Sequence, residues 1–280
     1  MDNRRMCPNC RAFITTRDRV CPYCGNQVGP RVIDRREPGA LIGGLIPAQH
    51  FTTFLILLIN VGLFAASCLL SGSIGDIQGE VLWKLGAKLG SSVWVHGEYW
   101  RLVTAGFLHG GLLHIAFNSW ALFILGSQVE EVFATPRFLV IYFVSTIGGF
   151  FLSARLNPGL SIGASAGIMG LIGAMVAFGH ASQSSLGRQI RNQYLGWLAL
   201  NLVWGFMPGA NIDNYAHVGG FAGGFAVAWF AGTPMRSTQM KEAAWRVAAG
   251  ACVFATVVCF WLMYRNFPSP EELRQIFQQG

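Results

Sequence analysis

The sequence predicts an all-α polytopic membrane protein, a bundle of seven hydrophobic spans preceded by a small cysteine-ligated metal module. Three observations predict it. Of the 280 residues, 52% are hydrophobic and only 12% are charged. That is about half the charged fraction of a soluble domain, too little polar surface to solvate a globule of this size. The apolar residues fall in runs approaching the ~20 residues that cross a bilayer as a helix. Ahead of the first run, four cysteines stand as two tight pairs.

Residues 1–38 form a polar module closed by a Glu37-Pro38-Gly39 linker. Within it, Cys7-Pro8-Asn9-Cys10 and Cys21-Pro22-Tyr23-Cys24-Gly25 are paired knuckles whose thiolates can surround one tetrahedral Zn²⁺. A segment this short buries no core, so the metal would supply its folding energy. Two disulfides are the alternative, disfavoured in a reducing cytosol. Four ligands close the site to water, so the expected zinc is structural, and the module binds a cytosolic partner or tethers the chain. Much of the net charge of +7 lies in the first 36 residues. A cytosolic segment facing anionic lipid accounts for it, and no nucleic-acid partner is expected. The first 40 residues lack the apolar core and cleavage site of a secretory signal.

The first span is expected at Phe51–Leu70. The mixed segment 71–101, with Trp83, Trp94, Tyr99 and Trp100, reads as interfacial structure. Further spans are expected near 112–129, 138–152, 165–178, 194–206, 216–230 and 245–264. Lys and Arg occupy the N-terminal segment and the connections holding Arg188, Arg191, Arg236, Lys241 and Arg246. With a cytosolic N-terminus all of these fall on the side the positive-inside rule favours. Lys84, Lys88 and Arg101 in the interfacial segment are a mild exception.

Polar residues are expensive in hydrocarbon, so those interrupting the spans carry the information. No acidic residue sits centrally in a span, which argues against a membrane aspartyl protease and most proton-coupled transporters. There is no H-E-x-x-H zinc motif. What remains is Gly163-Ala164-Ser165-Ala166-Gly167, the Ala216-His217-Val218-Gly219-Gly220 run, and His109, His114 and Asn118. The glycines also read as helix-packing positions, because Gly163/Gly167, Gly219/Gly223 and Gly220/Gly224 are spaced for close helix approach. From Ser165 to Phe178 is thirteen steps, and from His217 to Phe230 thirteen again. If both helices end at the same interface, Ser165 and His217 lie at one depth, with Asn118 slightly deeper. With no membrane carboxylate, the residues permit a Ser–His dyad in which His217 takes the Ser165 proton. His114 and Asn118, at i and i+4, can point at one oxyanion. The Ser165 backbone N–H can add a third donor. Asp213 can orient His217 or stand as a solvated loop acid.

These motifs resemble the rhomboid family over about residues 50–235. Ser165 matches its G-x-S-x-G serine, His217 with Gly220 its A-H-x-x-G histidine, and His109, His114 and Asn118 its H-x-x-x-x-H-x-x-x-N helix. Trp100-Arg101 and Glu130 match further family positions. The resemblance implies a six-helix core at 50–235 with a water-filled cavity open to the outside. It also implies a seventh transmembrane helix within 236–280. The implied activity is an intramembrane serine protease that cleaves transmembrane protein substrates near small residues without a catalytic cofactor. His114 and Asn118 would be oxyanion donors, and His109 structural. One departure is Met169, where many members place an aromatic residue against the histidine. The competing reading is a catalytically inactive rhomboid-fold protein that binds membrane clients.

Overall fold

The computed structural model describes residues 4–7, 9–15, 18–28, 50–182, 184–209, 211–234 and 237–267. The Glu37-Pro38-Gly39 linker, Arg236 and the tail beyond residue 267 lie outside them. The chain forms two compact units, Met1–Phe51 and Thr52–Gly280.

In the first unit, β1 (Arg4–Met6) and β2 (Phe13–Thr15) pair antiparallel, with Met6 opposite Phe13. The two knuckles repeat one turn. The Cys7 N–H donates to the Ala12 carbonyl and the Arg11 N–H to the Cys7 carbonyl, while Cys21 with Asn26 and Gly25 with Cys21 do the same. The residue after each knuckle therefore has positive φ, 68° at Gly25 and 60° at Arg11. Glycine takes this conformation without steric cost; arginine does not. Cys7 and Cys21 are buried with Ile14 and Val28. So small an apolar cluster cannot hold the unit together unaided.

The second unit is helical. It begins with α1 (Phe51–Ser71), a long apolar helix. The buried Glu130 carboxylate accepts from the Thr53 N–H (3.1 Å), the Thr53 hydroxyl (2.9 Å) and the Thr135 hydroxyl (2.8 Å). It satisfies a first-turn N–H of α1 that has no partner within the helix.

The segment after α1 holds three short helices: α2 (Gly79–Lys84), α3 (Gly90–Trp94) and α4 (Arg101–Thr104). Arg101 is its hub. Its guanidinium is buried between the Trp83 and Trp100 rings, 4.6 and 4.5 Å from their centroids. It donates to Glu98 (2.7 Å) and to the carbonyls of Trp83 (2.6 Å) and Ala87 (3.1 Å). Arg101 and Lys88 are thus consumed inside the protein. They are not solvated loop charges of the kind the positive-inside rule counts.

The next helical run, 112–156, comprises α5 (Leu112–Ala121), a π-helical turn (Leu122–Gly126) and α6 (Ser127–Leu156). It holds two expected spans. The division is at Ala134 (φ 62°, ψ 158°), two residues before Pro136. Proline lacks the N–H that would continue the ladder and its ring crowds the preceding turn, so the helix breaks close to it.

Then come α7 (Ser165–Ala181), α8 (Ser185–Gly205), α9 (Asn214–Ala231) and α10 (Gln239–Arg265). Helix α8 begins nine residues earlier than the apolar run. Its first turns are polar but helical, and the Ser184 hydroxyl accepts from the Gly187 N–H (2.9 Å). Thr238 likewise caps α10, which starts before the expected Trp245. Helix α7 is enclosed on all sides, with Ala166–Ala177 buried throughout, and packs against α6, α8 and α9. Helix α10 is the opposite, apolar and largely exposed, as a lipid-facing helix must be. It joins the bundle through an Arg137–Glu242 pair with two hydrogen bonds, of 2.9 and 2.7 Å, and through Phe107 against Phe260.

The glycines of α9 sort into two stripes. A methyl group added at Gly220 or Gly224 would strike the α7 backbone at Ala166 or Gly170; one at Gly219 or Gly223 would meet α6 at Gly148 or Ser145. Backbone contact this close supplies the packing that the hydrophobic effect cannot provide between helices in lipid. Gly163 is different and departs from the packing expectation. It sits before α7 with φ 122°, beside the His114 ring. The whole is an all-α polytopic membrane protein with a small cysteine-rich module.

Candidate active site

Ser165 is the first residue of α7, at the end of the 157–164 loop. Its backbone N–H precedes the first intrahelical bond, Ile168 N–H to the Ala164 carbonyl, and so remains available to a ligand. His217 lies in the first turn of α9 and is buried. The helices that carry them touch close to both residues. The α9 backbone at Gly220, one turn beyond His217, rests on Ala166, and the Ala216 carbonyl and Ala166 methyl converge on Gly149 of α6, 2.6 and 2.8 Å from where its Cβ would be.

Among the described residues no hydrogen bond joins Ser165 Oγ to His217, and His217 Nδ1 has no partner. Such bonds are commonly long before substrate binds. Met169 is buried on α7 one turn after Ser165. An aromatic side chain does approach α7 nearby, but from α6: Tyr142 lies against Gly167. Its position 23 residues upstream gave no signal in the sequence.

His114, on α5, lies beside the serine. Its Nε2 is 2.8 Å, and Ser165 Oγ 3.6 Å, from the point a Gly163 Cβ would occupy. A side chain at 163 would stand between them. The Gly110 N–H donates to His114 Nδ1 (3.3 Å), which places the His114 proton on Nε2, the nitrogen facing the serine. Asn118, one turn on, is buried and donates from its side-chain amide to the His114 carbonyl (2.9 Å). That amide has a second hydrogen to give. His109 is fully buried with its ring edge-to-face on His114, 5.1 Å between centroids.

Asp213 is not the solvated loop acid considered for it from sequence. Its carboxylate caps α9, accepting from the Ala216 N–H (3.1 Å), and it accepts from Ser153 on α6. The buried Lys88 ammonium is 3.9 Å away. These contacts hold Asp213 below the usual carboxylate range, although burial opposes them as the largest single effect. The signal for Lys88 was faint, one cation in an otherwise neutral Gly-Ala-Lys-Leu-Gly stretch.

In the N-terminal unit, Cys7, Cys10, Cys21 and Cys24 converge, their four sulfurs within 4.8 Å of one another. Cys7 to Cys24 is 3.7 Å and Cys10 to Cys21 is 3.6 Å. A tetrahedron of ~2.3 Å Zn–S bonds has edges of about 3.8 Å, so the donor set fits zinc. The Asn26 N–H draws the Cys24 thiol down to about 6. The Ala12 N–H pulls Cys10 the same way, but burial and the three facing sulfurs push it up to about 12. Four crowded thiols cannot all ionise unless a cation offsets their charge.

A family model described as the Rhomboid domain matches residues 96–234, a range containing His109, His114, Asn118, Ser165 and His217. Among curated proteins, the chain is 34% identical over 234 residues to "Rhomboid protease GluP" of Bacillus subtilis, covering 81% of this chain and 44% of that one. It is 36% identical over 151 residues to "RHOMBOID-like protein 6, mitochondrial" of Arabidopsis thaliana, covering 53% and 48%. It is 33% identical over 169 residues to "Rhomboid-like protease 3" of Toxoplasma gondii, covering 59% and 63%. The chain thus spans less than two thirds of each of these relatives.

Proposed function

The chain belongs to the rhomboid family, and from that premise we propose that it is an intramembrane serine endopeptidase that cleaves transmembrane helices of membrane-protein substrates by a Ser165–His217 dyad. One observation carries the reading: Ser165, at the head of an enclosed helix, and His217 lie on two helices that touch backbone to backbone at Ala166 and Gly220.

Ser165 Oγ attacks the scissile carbonyl carbon while His217 takes its proton. The carbonyl oxygen, now negative, accepts hydrogen bonds from His114 Nε2–H, the free amide hydrogen of Asn118 and the Ser165 N–H. Collapse of this intermediate breaks the peptide C–N bond, and His217 gives its proton to the departing amine. A water molecule, deprotonated by His217, then hydrolyses the acyl-serine ester. No metal or organic cofactor takes part.

The four cysteines would hold a structural Zn²⁺ that folds residues 1–38 and leaves the chemistry untouched. The core at 50–235 carries the reaction, and 236–280 adds the seventh helix. The basic connections around Arg188, Arg191, Lys241 and Arg246 support a cytosolic N-terminus.

The test is labelling of the detergent-purified protein with a fluorophosphonate probe, for wild type, Ser165→Ala and His217→Ala. Labelling of wild type alone supports an activated serine. No labelling of folded wild type overturns the protease assignment in favour of a client-binding protein.

A further inference from the structure

One buried cation ties together the two segments that carry Ser165 and His217. Lys88 lies between α2 and α3 and is fully enclosed. Its Nζ donates to the carbonyls of Asn157 and Gly159, both at 2.9 Å, and approaches Asp213 Oδ2 at 3.9 Å. The Lys88 backbone pairs in both directions with Ser161, at 3.1 and 2.9 Å, and the Gly90 N–H donates to the Pro158 carbonyl (3.0 Å). Asp213 completes the junction. It caps α9 through Ala216 and also accepts from Ser153, with Ser161 nearby helping to hold its charge. Ser161 lies four residues before Ser165, and Asp213 four residues before His217.

We propose that Lys88 and Asp213 are positioning residues: their buried ionic clasp holds the 157–164 loop and the head of α9 in the register that brings Ser165 to His217. This rests on the proteolytic reading above.

The chemistry of the site favours a clasp over a filler. An ammonium has three protons; two are given to the carbonyls of the 157–164 loop, and the charge faces the Asp213 carboxylate 3.9 Å away at the head of α9. A buried ion pair seldom stabilises a fold more than apolar side chains of the same volume would. What the charges add is direction, because a methylene chain could fill the space without fixing either segment. The same enclosure makes the clasp sensitive to pH. Burial draws Lys88 down to about 8 against the opposing pull of Asp213. The other groups around it are the Ser153 hydroxyl from α6, Ser161 and two carbonyls from the loop, and Arg101 from α4. Arg101 is bound to the adjacent Ala87 carbonyl and neutralised by Glu98.

The experiment compares Lys88→Met, Asp213→Asn, Asp213→Ala and the Lys88→Met/Asp213→Asn double variant with wild type and Ser165→Ala, in the full-length protein. Asparagine caps a helix as well as aspartate does, so Asp213→Asn removes the charge and keeps the cap. Turnover of a fluorogenic transmembrane peptide, amide hydrogen exchange and thermal unfolding are measured together. A misplacement near 1 Å lowers a rate by about 10²-fold. Lys88→Met and Asp213→Asn are therefore each expected to lower kcat about 10- to 100-fold, with KM within about twofold. Exchange should quicken in both 157–164 and 213–219. The double variant should be no slower than the slower single, because both changes break one interaction. Wild-type activity should fall along an alkaline limb near pH 8.

Multiplying effects in the double variant would overturn the clasp, as would wild-type kcat in a folded Asp213→Asn protein. If Lys88→Met does not fold, Asp213→Asn against Asp213→Ala decides alone: a full rate in the first with a slow second leaves only a cap. The exchange measurement does not depend on activity. If wild type neither labels nor cleaves, the protease reading fails, while unchanged exchange in 157–164 and 213–219 refutes the clasp by itself.

Discussion

Gly220→Ala tests the geometry of the site at its narrowest point. Gly220 is one turn beyond His217, and its added methyl carbon would lie 2.9 Å from the carbonyl carbon of Ala166 and 3.1 Å from its Cα, with the carbonyl oxygen nearer still. Carbon atoms in good contact sit about 3.5–4.0 Å apart; the two carbons alone require about 0.5–1 Å of local parting, and the nearer oxygen makes the shift of α7 from α9 about 1 Å or more. The obstruction is backbone, which cannot swing aside as a side chain would. Overpacking of this kind costs about 1–3 kcal/mol. The same displacement separates Ser165, next to Ala166, from His217, and a shift near 1 Å lowers a rate by about 10²-fold. The expectation is a 10- to 100-fold loss in kcat with little change in KM, the pattern of a lost transition-state interaction. The assay is steady-state cleavage of a transmembrane peptide in detergent, beside a thermal melt. Gly62→Ala on α1 has nothing within 4 Å of the added methyl and should behave as wild type. A folded Gly220→Ala enzyme with wild-type kcat would refute the claim that this contact sets the dyad. So would Gly62→Ala damage equal to that of Gly220→Ala.

Asn118→Ala should lower kcat about 10²–10³-fold if its amide serves the oxyanion; an unchanged rate would reject that role. Glu242→Gln leaves the buried Arg137 without its ionic partner and should destabilise the protein by about 1–3 kcal/mol. That is below the ~3–5 kcal/mol for breaking a fully buried pair, because Glu242 keeps some water, and an unshifted melting temperature would refute it. Elemental analysis should find zinc in the wild type and none in Cys7→Ser, while proteolysis in detergent persists. A parallel loss of activity would contradict a purely structural module. For Lys88 the folded pKa, about 8, lies below the unfolded value of about 10.4. Between these the unfolded chain binds the proton that the folded protein has released, so this group makes the unfolding free energy rise with pH. Activity should fall over the same range, and parallel losses of stability and rate above pH 8 would refute the assignment.

Much of this molecule is legible from local pattern. The spans, the paired knuckles and the polar residues at Ser165, His217, His114 and Asn118 all stand out against apolar surroundings. In lipid a polar side chain needs a reason, so the few that occur draw attention. Span edges were less legible. The first turns of α8 and α10 are helical but polar, so hydropathy missed them while the Ser184 and Thr238 caps mark them. Arg101 and Lys88 read as loop charges, and Asp213 as an orienter or a solvated acid, because nothing local distinguishes a charge in water from one buried against a partner far along the chain.

By itself, then, the sequence determined what each segment is: helix or loop, lipid-compatible or polar, cysteine-paired or not. These are properties of a residue and its near neighbours, set by hydropathy, spacing and backbone preference. Tertiary structure alone decided what each segment meets. It assigned Gly220 and Gly224 to α7 and Gly219 and Gly223 to α6, placed Gly163 beside His114 and left it out of the helix packing, and brought Lys88 to Asp213. Glycine carries no chemical label for its partner, and an ion pair is visible only when both charges share one space. Pairings of this kind depend on how distant helices are juxtaposed, and that exists only once the bundle has closed.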